Sequence, residues 1–199
     1  MANKIITISR EFGSGGRFIG EEVAKKLGMK YYDKDIISQI AEKLGFSKEY
    51  ISQNAELSPK KGLFAYALTG RDTTGKSVED MVYEAQRKVI LEIAENDSCV
   101  IIGRNADYIL KDRTDVINIF IHADMPEKVK RICRLYNVTE TEAVAMTADI
   151  DKRRMTNYRY YTDQKWGMAR NYTLTLNSSQ LGYDLSLIHI SEPTRRSYI

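Results

Sequence analysis

The chain has 199 residues, 43% hydrophobic and 29% charged, and a formal net charge of +3 from 30 basic and 27 acidic side chains. This suits one globular domain with a sizeable core. The near-even charge excludes a nucleic-acid binder that works by bulk charge, and no apolar run reaches membrane-span length. The N-terminus leads almost at once into a strand, so the expectation is a protein with no signal peptide and no membrane partner, in the cytoplasm. Cys99 and Cys133 lie far apart without a metal-type partner, and Cys99 opens an apolar run, which points to reduced thiols and a buried Cys99.

Residues 4–9 read as a buried strand. Ser9-Arg10-Glu11-Phe12-Gly13-Ser14-Gly15-Gly16-Arg17 joins it to a helix predicted over 17–28. There Phe18, Ile19, Val23, Ala24 and Leu27 recur at helical spacing and Gly28 ends the run. Strand, glycine loop and helix N-terminus together form a phosphate cradle, because glycines let amides turn inward and the helix dipole favours an anion. Gly13, Ser14, Gly15, Gly16 and Arg17 are the candidate donor-phosphate residues. The match to a Walker A loop is incomplete: no Gly-Lys-Ser or Gly-Lys-Thr follows, and the lysine position falls on Gly16 or Arg17 according to alignment.

Tyr31-Tyr32-Asp33 is extended, and helices are predicted over 34–45 and 47–56. Leu63 to Leu68 is apolar and is followed by a polar loop. Gly75-Lys76-Ser77 imitates the end of a Walker A loop, but no clean strand precedes it, and Ser77 with Asp80 reads as a helix cap. A helix over 78–95 leads to the strand Val100-Ile101-Ile102, a short helix near Ala106–Leu110 and a third strand over Val116–His122. Helices over 126–136 and 139–155 follow, the second begun by Thr139 with Glu142 three residues on. Tyr172–Leu176 is the last strand. Strands alternating with helices predict an α/β three-layer fold with a mostly parallel sheet and helices on both faces. Leu185 to Arg195 resembles a translated sequencing-library adapter. The domain is therefore expected over 1–184, with its final helix missing and 185–199 a non-native tail.

Ligands bind at the carboxyl edge of such a sheet. The glycine loop leaves the first strand there and Gly103-Arg104 leaves another, so Arg104 is a candidate for the same cleft, with a surface ion pair as the plainer reading. Asp151 and Arg154 share a helix face. Tyr158 to Gly167 mixes aromatics with cations, as a phosphoryl-transfer lid requires. Asp33, a carboxylate closing the short extended Tyr31-Tyr32 piece, is a further candidate. His122 reads as a packed or capping residue, and Trp166 as a packing residue.

Four segments resemble the cytidylate kinase-like family: residues 8–17, Tyr31-Tyr32-Asp33-Lys34, Ile101 to Leu110, and Tyr160 to Gly167. The resemblance implies a P-loop nucleoside monophosphate kinase fold, ATP as donor with Mg2+, and CMP or dCMP as acceptor. Gly103-Arg104 matches the family's Gly-Arg-Asp acceptor segment, with Asn105 replacing the aspartate. Asp151 and Arg154 match its Asp-x-x-Arg pair, Arg131 its basic residue before the lid, and Asn177-Ser178-Ser179 echoes its closing segment. On this reading Arg104, Asp33, Asp151 and Arg154 hold the acceptor, and Arg17, Arg153, Arg154 and Arg159 are the catalytic cations, with Lys165 alongside. Residues 46–76 form an acceptor-side insert and 155–170 the lid. No protein metal ligand is assigned, since Phe18 cannot ligate and only Ser14 or Ser9 offers a hydroxyl. The expected partners are small-molecule nucleotides, with no nucleic acid, and the protein is expected to be a monomer. A kinase for another small phosphate acceptor and a non-catalytic nucleotide-binding regulator are the alternatives.

Overall fold

Short apolar stretches form five strands: β1 Ile5–Arg10, β2 Lys30–Tyr32, β3 Cys99–Ile102, β4 Val116–His122 and β5 Leu174–Asn177. They lie in the order β2-β3-β1-β4-β5, and every neighbouring pair is parallel. The computed structural model describes residues 4–45 and 78–191. The helix expected at 47–56, the insert at 46–76 and Gly75-Lys76-Ser77 lie outside the described residues.

The helices are α1 Gly16–Leu27, α2 Lys34–Leu44, α3 Val78–Asn96, α4 Ala106–Ile109, α5 Met125–Tyr136, α6 Glu140–Thr162 and α7 Ser178–Ser191, with a 3-10 turn at Ala169–Asn171. Among the described residues no helix is long and apolar enough to cross a membrane.

Every residue of β1 is buried, as expected for a central parallel strand covered on both faces. On one face Ile36 and Ile40 of α2 and Val89 and Ile90 of α3 meet Ile5, Cys99 and Ile101. On the other, Ile19 and Val23 of α1 meet Ile6, Ile8, Val100, Ile102 and Ile121. Truncating one of these isoleucines to alanine costs about 2–5 kcal/mol. This is the three-layer arrangement expected from the alternating elements. Both cysteines are free, and burial pushes the Cys99 thiol up to about 12.

Three boundaries differ from the sequence expectation by more than one residue. The helix expected to stop at 155 continues to Thr162. The Thr139–Glu142 capping box starts it, and no glycine or proline interrupts it before Asp163 turns left-handed at φ 55°. The last strand begins at Leu174 rather than Tyr172, because the Tyr172 amide closes the 3-10 turn on the Ala169 carbonyl at 3.1 Å. Residues beyond Asp184, set outside the domain by the sequence reading, continue as helix to Ser191 after a break at Gly182, and Ile190 is buried with the α1-side core.

The chain leaves β1 toward the β2 edge and leaves β3 toward β4 on the other side. The carboxyl ends of β1 and β3 therefore flank a topological switch point, where open α/β sheets bind ligands.

Candidate functional site

β1 ends at Arg10 and α1 starts at Gly16, with the glycine loop between them. Gly13 and Gly15 have φ of 78° and 79°, a left-handed backbone that side chains disfavour. The Ser14 hydroxyl is turned into the loop. It donates to the Glu11 carbonyl at 2.9 Å and accepts from the Gly16 amide at 3.4 Å. Three helices grip the loop backbone from behind. Arg131 of α5 donates to the Gly13 carbonyl, Ser178 of α7 donates to the Ser14 carbonyl at 2.7 Å, and Asp151 of α6 accepts from the Phe12 amide at 2.7 Å.

The cleft beside this loop is lined by Ser9 and Arg10 from β1, Gly103, Arg104 and Asn105 after β3, and Arg154 and Trp166. Its arginines come from three separate elements, and Arg10 and Arg104 are buried. Guanidinium groups converging in a water-poor cleft suit phosphate oxygens, which accept from their planar forks. Trp166 meets Phe120 edge-on at 5.1 Å, so it both packs and lines the cleft.

Arg104 is presented by a strained turn. Gly103, Arg104 and Asn105 have φ of 63°, 62° and 54°, and such left-handed non-glycine residues cost on the order of 1–3 kcal/mol each. The surroundings enforce the turn. The Gly103 amide donates to the Ile8 carbonyl at 2.9 Å, buried Gln86 donates to the Arg104 carbonyl at 2.8 Å, and Asn105 donates to the Asn157 side chain at 3.1 Å.

Behind the loop lies a partly buried ionic cluster. Lys128 Nζ is 3.0 Å from Glu11 Oε2 and 3.5 Å from Asp151 Oδ2, and Arg154 is 3.6 Å from Asp151 Oδ1. Burial raises the Asp151 carboxyl above its ordinary range, against the opposing Phe12 amide and the Arg154 and Lys128 charges. Deeper in the site Asp107 accepts from Tyr158 at 2.7 Å and from Ser9 at 3.4 Å. Burial pushes its carboxyl up to about 6 despite these bonds, and burial also raises the Tyr158 hydroxyl.

The sequence candidates divide into groups. Arg104 and Arg154 meet in the cleft. Arg17 Nε donates to buried Asp33 at 2.7 Å, and Arg104 lies 4.0 Å from the same carboxylate, so Asp33 links Arg17 to the cleft wall. Arg17 itself is not among the lining residues. Asp151 is engaged with the loop backbone and Lys128. Arg153 stands 3.8 Å from Asp149 on its own helix, Arg159 is exposed near the end of α6, and neither lines the cleft.

Sequence reasoning missed Arg10, Lys128 and Asp107. Arg10 had a usable signal, as a charged residue ending a strand that is otherwise free of charge. Mg2+ does not fit the loop side chains. Arg17 stands next to Gly16, where a hydroxyl would be needed, and the Ser14 and Ser9 hydroxyls are engaged with Glu11 and Asp107. Among the described residues no cluster of three or more His, Cys, Asp or Glu could hold a metal.

The model of the cytidylate kinase-like family matches residues 5–180. A cytidylate kinase of Archaeoglobus fulgidus is 26% identical over 87% of this chain and 84% of its own. Among solved structures, an uncharacterized protein from Eubacterium ventriosum superposes with a TM-score of 0.72 at 25% identity, covering 94% of this chain and 96% of that one. Shikimate kinase from Bacteroides thetaiotaomicron gives 0.54 at 16% identity over 95% and 96%, a likeness of fold alone. The family match spans the sheet, the glycine loop and the arginine cleft together, and the chain belongs to the cytidylate kinase-like family.

Proposed function

We propose that this protein transfers the γ-phosphoryl group of ATP to a nucleoside monophosphate, with CMP or dCMP as the acceptor. The observation that carries the reading is the convergence of Arg10, Arg104 and Arg154 on one cleft beside the glycine loop, at the sheet's switch point. The loop and the N-terminus of α1 hold the donor phosphates. Arg104, backed by Asp33, holds the acceptor phosphate, and Arg154 reaches the group in transit.

In the transfer an acceptor phosphate oxygen forms a new bond to the γ-phosphorus as the bond to the β,γ-bridging oxygen breaks. ADP leaves with that electron pair, and no protein nucleophile takes part. Charge spreads over the equatorial oxygens, and positioned arginines stabilise it. Arg17 belongs to the donor-phosphate loop, Arg153, Arg159 and Lys165 belong to the closing side of the site, and the protein acts as a cytoplasmic monomer.

An ADP-release assay with ATP and a panel of CMP, dCMP, UMP and AMP tests the reading. Turnover greatest with CMP or dCMP supports it, and turnover with none of the panel overturns it. One observation favours a non-catalytic nucleotide binder: glycine, not lysine, opens α1 at Gly16. ATP binding without turnover is that reading's signature.

A further inference from the structure

The P-loop pattern Gly-x-x-x-x-Gly-Lys places a glycine six residues before the lysine and another immediately before it. With Gly15 as the second glycine, the lysine position is Gly16, the first residue of α1, and the first glycine position is Arg10. Both sites are therefore exchanged in this chain: arginine where the pattern has glycine, and glycine where it has lysine.

The structure gives a physical reason for the exchange. A Cβ built on Gly16 would lie 2.6 Å from the Arg10 Cβ and 3.0 Å from its Cγ. Such a contact is too short for two side chains, so positions 10 and 16 have room for one between them. A lysine at 16 requires a glycine at 10, and an arginine at 10 requires a glycine at 16. Arg10 uses that room and lines the cleft with Arg104 and Arg154. It is 5% exposed, so its charge is held in a desolvated setting where a phosphate contact is strong.

We infer that Arg10 performs the work of the missing lysine, contacting the β- and γ-phosphates of the donor from the end of β1. The inference rests on the reading of the site as a donor-phosphate cradle. It deepens that reading by naming the cation and explaining why the usual one is absent.

The test compares the wild type with Arg10→Gln, Arg10→Gly and the reciprocal exchange Arg10→Gly/Gly16→Lys. Calorimetry measures binding of ATP, ADP and AMP, and turnover is followed with ATP and CMP. Arg10→Gln is expected to weaken ATP by at least roughly tenfold, the worth of a charge-assisted contact, while AMP binding changes less than twofold. Turnover is expected to fall on the order of a thousandfold. The reciprocal exchange is expected to recover at least tenfold of what Arg10→Gly loses. Equal weakening of ATP and AMP, or a rise confined to the KM for CMP, overturns the assignment. If the exchanged protein does not fold, as judged by its thermal transition, Arg10→Gln decides alone. A wild type that binds ATP through Arg10 without phosphorylating any acceptor leaves the cation assignment standing and removes the kinase reading. Turnover unchanged in Arg10→Gln does the reverse.

Discussion

Arg154 donates from its guanidinium to the carbonyl oxygen of Arg10 at 3.1 Å. This bond ties the middle of α6 to the last residue of β1, and it fixes two of the cleft's arginines relative to each other. Arg154→Ala removes one of the converging charges and that tie. Turnover with ATP and CMP is expected to fall on the order of a thousandfold. Near-UV circular dichroism should stay native, because α6 keeps its capping box and its Tyr158 anchor. Unchanged steady-state kinetics would remove Arg154 from the site.

Lys128 is 5% exposed and lies between Glu11 and Asp151. Lys128→Met leaves the partly buried Glu11 and Asp151 carboxylates without their shared cation, and losing such charge-assisted contacts costs about 1.5–3 kcal/mol. Urea unfolding at neutral pH should show the loss, and the loss should shrink as acid protonates the carboxylates. A midpoint equal to that of the wild type at neutral pH would show that Glu11 and Asp151 find compensation elsewhere.

Asp107 provides a pH signature. Its folded carboxyl titrates near 6, above the ordinary carboxylate range, because burial penalises the charge. The folded state therefore binds this proton more tightly than the unfolded state does. The group's contribution is greatest in acid, below the ordinary carboxylate pKa, and is lost as pH rises through about 6. Asp107→Asn should flatten the fall in stability between about pH 4 and 6, the interval bounded by the ordinary and the raised carboxylate values. The asparagine's single oxygen, turned toward Tyr158, can still accept from it, and its amide group can donate to the Ser9 hydroxyl. Parallel stability–pH curves for variant and wild type would contradict the raised titration.

Gln86 acts through Arg104. It is fully buried and its amide donates to the Arg104 carbonyl at 2.8 Å. Gln86→Leu leaves that carbonyl without this donor in the strained turn, at a cost of about 1–3 kcal/mol. The KM for the acceptor should rise while the KM for ATP stays constant, since the donor side is held by other elements. Equal rises in both would mean that the turn positions more than Arg104.

The sheet, its parallel sense and the glycine loop were legible in the sequence because short apolar runs, helical periodicity and glycine punctuation are local signals. The Thr139–Glu142 cap is the clearest case, a four-residue pattern that starts α6 as written. Arg104 was legible because it follows from where a strand had to end, and Arg154 because it shares a helix face with Asp151 and fits the Asp-x-x-Arg pair. The role of Arg10 was not, because it depends on a contact with Gly16 across the turn. The engagement of Asp151 with the Phe12 amide was hidden for a similar reason. Those two residues are 139 positions apart, and a shared helix face says nothing about the far partner. The length of α6 was misjudged because a dense run of tyrosine and charge was read as a lid, although nothing in it before Asp163 breaks a helix.

Arg131, Ser178 and Asp151 grip successive stretches of the glycine loop from three different helices. The loop is thus a template cast during folding and not a flap that shuts on its guest. The loss of conformational freedom that a mobile loop would suffer on association has already been met. Nucleotide capture should then approach rigid docking, with its speed governed by diffusion and by the field of the clustered guanidinium groups, and slowing steeply as salt is added.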